Sequence, residues 1–185
     1  MRKLSKKSLL IENQIKFPEN IHYEDSPFNT LSLLYSQSVC KIDEAFYNYL
    51  IREDSSSNCR NKERLYDRIT SLEYMFSQVN LRGLYTKNKE IIDNKYVKMM
   101  SSNLNHICLN SFDEPNKEKL KVVSKDLCKN VPHYKNVEAY RYLDKQSKLN
   151  IELNNLSSTL LIIIDKLNKH KLVIKRKVYK LLKGN

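Results

Sequence analysis

The segment RLYDRITSLEYMFSQV, residues 64–79, places Leu65, Ile69, Leu72, Phe76 and Val79 at successive steps of four, three, four and three. An α-helix turns once in 3.6 residues, so these five side chains line one face. A strand would repeat with period two and scatter them over both faces. The spacing predicts an amphipathic helix over about 61–80, and this reading decides the fold class. The chain has only two glycines, Gly83 and Gly184, and four prolines, Pro18, Pro27, Pro115 and Pro132. Sheets need many tight turns, which draw on Gly and Pro. The scarcity therefore excludes a many-stranded fold and any glycine-rich phosphate loop.

The same rhythm recurs on both sides. Upstream, Leu31, Leu34, Ile42, Phe46 and Tyr49 predict a helix over 29–52, ended by the polar EDSSSNCRN. Downstream, Ile92, Tyr96, Met100, Leu104 and Ile107 predict one over 87–109, broken by NSFDEPN. Leu120, Val123 and Leu127 predict a shorter one over 116–130, stopping before Pro132. Residues 134–183 contain neither Gly nor Pro. Helix is expected there with a break near DKQSKLN, 144–150. From there a stripe runs through Leu149, Leu153, Leu156, Leu160, Ile163 and Leu167, then Ile174, Val178 and Leu181. Within it TLLIIID, 159–165, is apolar on nearly every face and is expected to be the hub of the core. It is far too short to span a bilayer.

The expected fold is all-α, a bundle of about five helices with a long basic C-terminal helix. The expected organisation is a basic leader over 1–28, helical over 5–16 and irregular around Pro18 and Pro27. A helical bundle follows over 29–165, and a basic amphipathic extension over 166–185.

Charge position carries more information than charge total. The chain's net charge is +12. Residues 1–20 contribute +3, residues 21–165 contribute +1, and residues 166–185 contribute +8. The 25 lysines and 20 asparagines have AT-rich codons, so genome composition explains part of the lysine excess. It does not explain why Asp and Glu vanish after Asp165.

Four cysteines, Cys40, Cys59, Cys108 and Cys128, lack CxxC spacing. Cys40, Cys108 and Cys128 fall in helical apolar patterns, where a free thiol packs as a small hydrophobe. An even count also permits two disulfides. The basic start has an apolar run of only three residues, too short for a signal peptide. An intracellular compartment, cytoplasmic or organellar, is expected; secretion or export would need a signal preceding residue 1.

Constellations with chemical potential are weak. His106-x-Cys108 and Cys128-x4-His133 have the ligand types of a zinc site. Residues two apart on a helix point about 200° apart, however, and the spacings match no zinc pattern. The carboxylate pairs Asp43-Glu44, Glu53-Asp54 and Asp113-Glu114 are sequence neighbours suited to solvated surfaces or helix caps. The sequon at Asn155 falls inside a predicted helix. Tyr35, Tyr49, Tyr74 and Tyr96 lie in or beside apolar stripes and read as core. No catalytic residue, cofactor or metal is expected.

The C-terminal stretch LNKHKLVIKRKVYKLLKGN, 167–185, is where a function can be placed. From residue 166 onward the cations are Lys166, Lys169, Lys171, Lys175, Arg176, Lys177, Lys180 and Lys183; Tyr179 lies amid the last five, and Ile174, Val178 and Leu181 continue the apolar stripe. Such a basic amphipathic helix suits a partner groove, a polyanion or an acidic membrane surface. The membrane reading wants Trp or Phe on the apolar face, and none is there. The expected function is a non-enzymatic subunit or adaptor docking on a protein partner. The alternatives are an RNA- or DNA-binding component of a ribonucleoprotein and, less favoured, a secreted effector with disulfides. No small-molecule substrate is expected.

Overall fold

The computed structural model describes residues 4–44 and 62–182, and beyond Lys171 the description is of the helical backbone. The described residues are all-helical, with eight α-helices and no strand. In chain order these are α1 Lys7–Glu12, α2 Asp25–Tyr35, α3 Asp67–Leu81, α4 Lys89–Ser102, α5 Lys117–Asn130, α6 Glu138–Arg141, α7 Lys145–Leu156 and α8 Ser158–Leu182. The chain forms two compact units, Met1–Ile92 and Asp93–Asn185.

In the first unit α2 packs on α3. The stripe of α3 is buried as its spacing predicts, with Ile69, Leu72, Phe76 and Val79 inside beside Met75, Leu31 and Ile15. A 3-10 turn over Lys62–Tyr66 leads into α3. At its other end Gly83 takes φ +66°. Its N–H donates to the Asn80 carbonyl at 2.9 Å, and that of Leu84 to the Val79 carbonyl at 3.0 Å. This paired closure needs a left-handed residue, which glycine supplies without a Cβ clash. The leader is tied to this unit. Arg82 donates to the carbonyls of Asn13 and Gln14, Ser71 Oγ donates to the Tyr23 carbonyl at 2.8 Å, and Phe17 stacks on Phe28.

The helix expected over 29–52 is shorter and starts earlier. Pro27 sits in the first turn of α2, where its missing N–H costs nothing. The helix stops at Tyr35 because Ser36 turns extended, with φ −72° and ψ 131°. Thr30, Ser32 and Ser36 each donate to the carbonyl four residues back. Such hydroxyls compete with the helical ladder. Ile42 lies beyond the helix end and is exposed; Phe46 and Tyr49 lie outside the described residues. Cys40, expected in a helical apolar pattern, is an exposed thiol in this non-helical stretch.

In the second unit α5 matches its expectation, with Leu120, Val123 and Leu127 buried and Asn116 capping its start by accepting from the Lys119 N–H at 3.1 Å. Tyr96, Met100, Leu104 and Ile107 are likewise buried, as is Ile92, the last residue of the first unit. Steps of four drift by about 40° each around an α-helix. The chain meets this drift with a wider π turn over Asn103–Cys108, in which the Leu109 N–H reaches the Leu104 carbonyl at 3.1 Å. The expected break near 144–150 falls just ahead of that window. Asp144 caps α7, accepting from the Ser147 N–H at 2.9 Å and the Ser147 hydroxyl at 2.6 Å. A second break comes at Ser157, extended at φ −165° and ψ 119°, whose hydroxyl accepts from the Leu160 N–H at 3.3 Å to start α8.

The stripe expected on α7 is reversed. Leu149 and Leu156 are exposed, the latter at 77%, while Asn150, Ile151 and Asn154 face inward. The inward amides all have partners. Asn150 Nδ2 donates to Asn105 Oδ1 at 2.6 Å and Asn150 Oδ1 accepts from Gln146 at 2.8 Å. Asn154 Nδ2 donates to the Leu120 carbonyl and Asn154 Oδ1 accepts from the Ser158 hydroxyl, each at 2.8 Å. A buried amide so satisfied carries little desolvation penalty. The expected hub, TLLIIID, is corrected too. Of its aliphatics only Leu161 is fully buried, and Ile163 is 51% exposed. The centre of this unit's core is instead Tyr96, Met100 and Leu104 with Leu120 and Leu127 of α5.

Candidate interaction surface

Helix α8 packs on α7 and α5 along its first turns, where Leu161 and Ser158 face inward. Ile163 and Leu167 lie one turn apart and are 51% and 56% exposed. They form the visible part of the apolar stripe read from the sequence. The α8 backbone stays helical to Leu182, so Ile174, Val178 and Leu181 occupy the register that continues from Leu167.

The first cations of the cluster are anchored on the unit itself. Lys166 pairs with Glu114, and Lys169 pairs with Asp165 at 2.7 Å and donates to the Leu109 carbonyl at 2.9 Å. Lys171 is exposed. Of the remaining site residues, Lys175, Arg176, Lys177, Tyr179 and Lys180 lie on the helical backbone beyond Lys171, and Lys183 lies outside the described residues.

Two polar clusters escaped the sequence reading. In the first, Glu152 of α7 accepts from the hydroxyls of Tyr134 and Tyr140, each at 2.9 Å, and from Lys135. Asn155 donates to the Tyr134 oxygen at 2.9 Å and accepts from the Ser124 hydroxyl at 2.7 Å. The two phenol rings meet edge to face at 5.4 Å. Burial by itself would raise the Glu152 carboxyl, but donation from Lys135, Tyr140 and Tyr134 outweighs it and holds it below the usual carboxylate range. Burial and donation to Glu152 push the Tyr140 hydroxyl up to about 12 and the Tyr134 hydroxyl well above its ordinary value. With every Glu152 donor engaged, this cluster serves as a fastening between α7 and the 134–141 turn.

In the second cluster the carboxylate of Asp93, nearly wholly buried, lies 2.7 Å from Nε2 of half-exposed His133. No local spacing signals this pair, since forty residues separate its members. The only hint is an acid placed one residue off the Ile92–Tyr96 stripe.

The groups considered for zinc do not converge. His106 is exposed while Cys108, two residues on, is buried, as opposite directions on a helical turn require. Among the described residues no three His, Cys, Asp or Glu side chains gather as a metal site. Burial pushes the Cys108 thiol up to about 12, and burial with the nearby Glu152 charge raises that of Cys128. Both are therefore protonated at neutral pH, which is unsuited to nucleophilic work. Cys40, Cys108 and Cys128 are all free, so the two-disulfide framework, which needs all four cysteines, is not formed. Cys128 is exposed on α5 rather than packed. Asp43 pairs with Lys41 at the surface; Glu53, Asp54 and Cys59 lie outside the described residues.

No helix among the described residues is long and apolar enough to cross a membrane. No family model matches the chain, and no curated protein or solved structure matches it either.

Proposed function

We propose that the chain is a non-enzymatic helical adaptor or subunit, a small bundle whose long basic C-terminal helix docks on a protein partner inside the cell. The observation that carries this reading is the exposure of Ile163 and Leu167 side by side on α8. Apolar side chains aligned on one helical face and open to water are what a partner covers. Downstream, Ile174, Val178 and Leu181 keep the register while Lys171, Lys175, Arg176, Lys177, Lys180 and Lys183 supply positive charge without a single acid.

A nucleic-acid grip would use the same cations with phosphate, and a salt series separates the two. The wild-type chain and a Lys175→Gln, Arg176→Gln, Lys177→Gln, Lys180→Gln variant are titrated with mixed RNA from low to high salt. Phosphate contacts by about four cations give a log–log slope near −3 to −4. Weak binding of both forms is the expected result. Tight binding with that slope, lost in the variant, would overturn the adaptor reading in favour of a ribonucleoprotein component.

A further inference from the structure

The docking reading leaves the partner's chemistry open, and we infer that α8 pairs with an acidic amphipathic α-helix in a coiled-coil contact; this inference rests on that reading. Leu160, Leu167, Ile174 and Leu181 stand at every seventh position of α8. Aliphatic residues held at one heptad position through successive heptads define the seam by which helices pair. Ile163 takes the second seam position, and Val178 flanks it. The seam opens one turn into α8: Leu160 is half-buried, while Ile163 and Leu167 are each more than half exposed.

The remaining seam and flanking positions specify the occupant. His170 and Lys177 stand where Ile163 stands one and two heptads earlier, and Lys171 and Lys180 flank the seam. A lysine at a seam position, set against an apolar groove, would be desolvated without a counter-charge. Opposite a carboxylate it is matched, and flanking Glu or Asp would meet Lys171 and Lys180 as interhelical pairs. A second copy of this chain does not fit. Two α8 helices, in either direction, would bring cations to cations, because no acid follows Asp165. Nucleic acid would use the cations and leave Ile163 and Leu167 uncovered.

The test uses the full chain and labelled synthetic helices four heptads long, all with Leu at the seam positions except the one that meets Lys177, which carries the same residue as the flanking positions. One carries Glu at the flanking positions, one Gln, one Lys, and a fourth is a scrambled isomer of the Glu peptide. Binding is read by fluorescence anisotropy at near-physiological salt. The Glu peptide is expected to bind about tenfold or more tighter than the Gln peptide, with no measurable binding of the Lys or scrambled peptides. Leu167→Ser with Ile174→Ser is expected to weaken the Glu peptide by a similar factor. Its melting curve serves as the check on folding. Equal binding of the Glu and Gln peptides overturns the acidic partner and leaves docking through α8 intact. Failure of all four peptides, with salt-steep RNA binding, overturns both.

Discussion

Tyr134 and Glu152 meet at 2.9 Å, bringing the turn after α5 onto the middle of α7. Tyr140 and Lys135 converge on the same carboxylate, so one side chain gathers three donors from a seven-residue stretch. Replacing Glu152 by Ala leaves two tyrosine hydroxyls without their acceptor. It should cost about 2 kcal/mol, the scale for hydrogen bonds to a charged group, read from urea unfolding. Tyr134→Phe should cost less, about 1 kcal/mol.

The same cluster sets two pH windows. The Glu152 carboxyl is held below the usual carboxylate range, so its contribution is present above that range and is lost as pH falls through its folded value. The stability gap between wild type and Glu152→Gln should therefore narrow on acidification. At the other end, the Tyr140 hydroxyl is raised from 10.0 to about 12. Between those values the unfolded chain has released a proton that the folded chain keeps, so stability should fall as pH rises. Tyr140→Phe should flatten that fall in denaturation curves taken across the window.

Asn103 and Asn154 form a matched contrast. Both are buried, yet neither amide atom of Asn103 has a hydrogen-bond partner among the described residues, whereas Asn154 bonds Leu120 and Ser158. Removing an orphaned amide relieves its desolvation penalty, while removing a paired one strands its partners. Asn103→Leu should be neutral or stabilising by about 1 kcal/mol, and Asn154→Leu destabilising by about 1–3 kcal/mol. Thermal melts of the two variants decide the sign.

Thiol labelling should resolve the cysteines by rate. In a Cys59→Ser background, Cys40 should react first, Cys128 more slowly, and Cys108 only on unfolding. Prompt labelling of Cys108 under native conditions would contradict its burial.

Gly83→Ala should cost about 1 kcal/mol through backbone strain alone. Its φ is +66°, and an added Cβ would meet nothing within 4 Å. An unchanged urea midpoint would mean that the turn relaxes without strain.

Where a helix buries aliphatic side chains, the sequence was a sufficient guide. Leu120, Val123 and Leu127 need only the inside of a core, and any apolar neighbour serves. Asn150 and Asn154 need specific partners, 45 and 34 residues away, and no local rhythm encodes those. An apolar-inward rule therefore chose the wrong face of α7. The end of α2 was missed for a related reason, since Ser32 and Ser36 act through hydroxyl bonds to the backbone rather than through hydropathy. The Glu152 cluster and the Asp93–His133 pair were illegible because each joins residues that only the folded chain brings together. At the C-terminal end the helical course of the backbone to Leu182 was legible in the absence of Gly and Pro over 134–183. The anchoring of Lys166 and Lys169 was not.

The extended residue at Ser157 has a consequence for how such a chain changes over time. Each residue added to a helix turns it by about 100°. One codon inserted just after this joint would swing the whole of α8 by that angle, burying different side chains and presenting a new face outward. Point substitutions alter the chemistry of the present face one site at a time. An insertion or deletion at a single place re-aims all of it at once, so a change in length here does in one step what substitutions would need many to do.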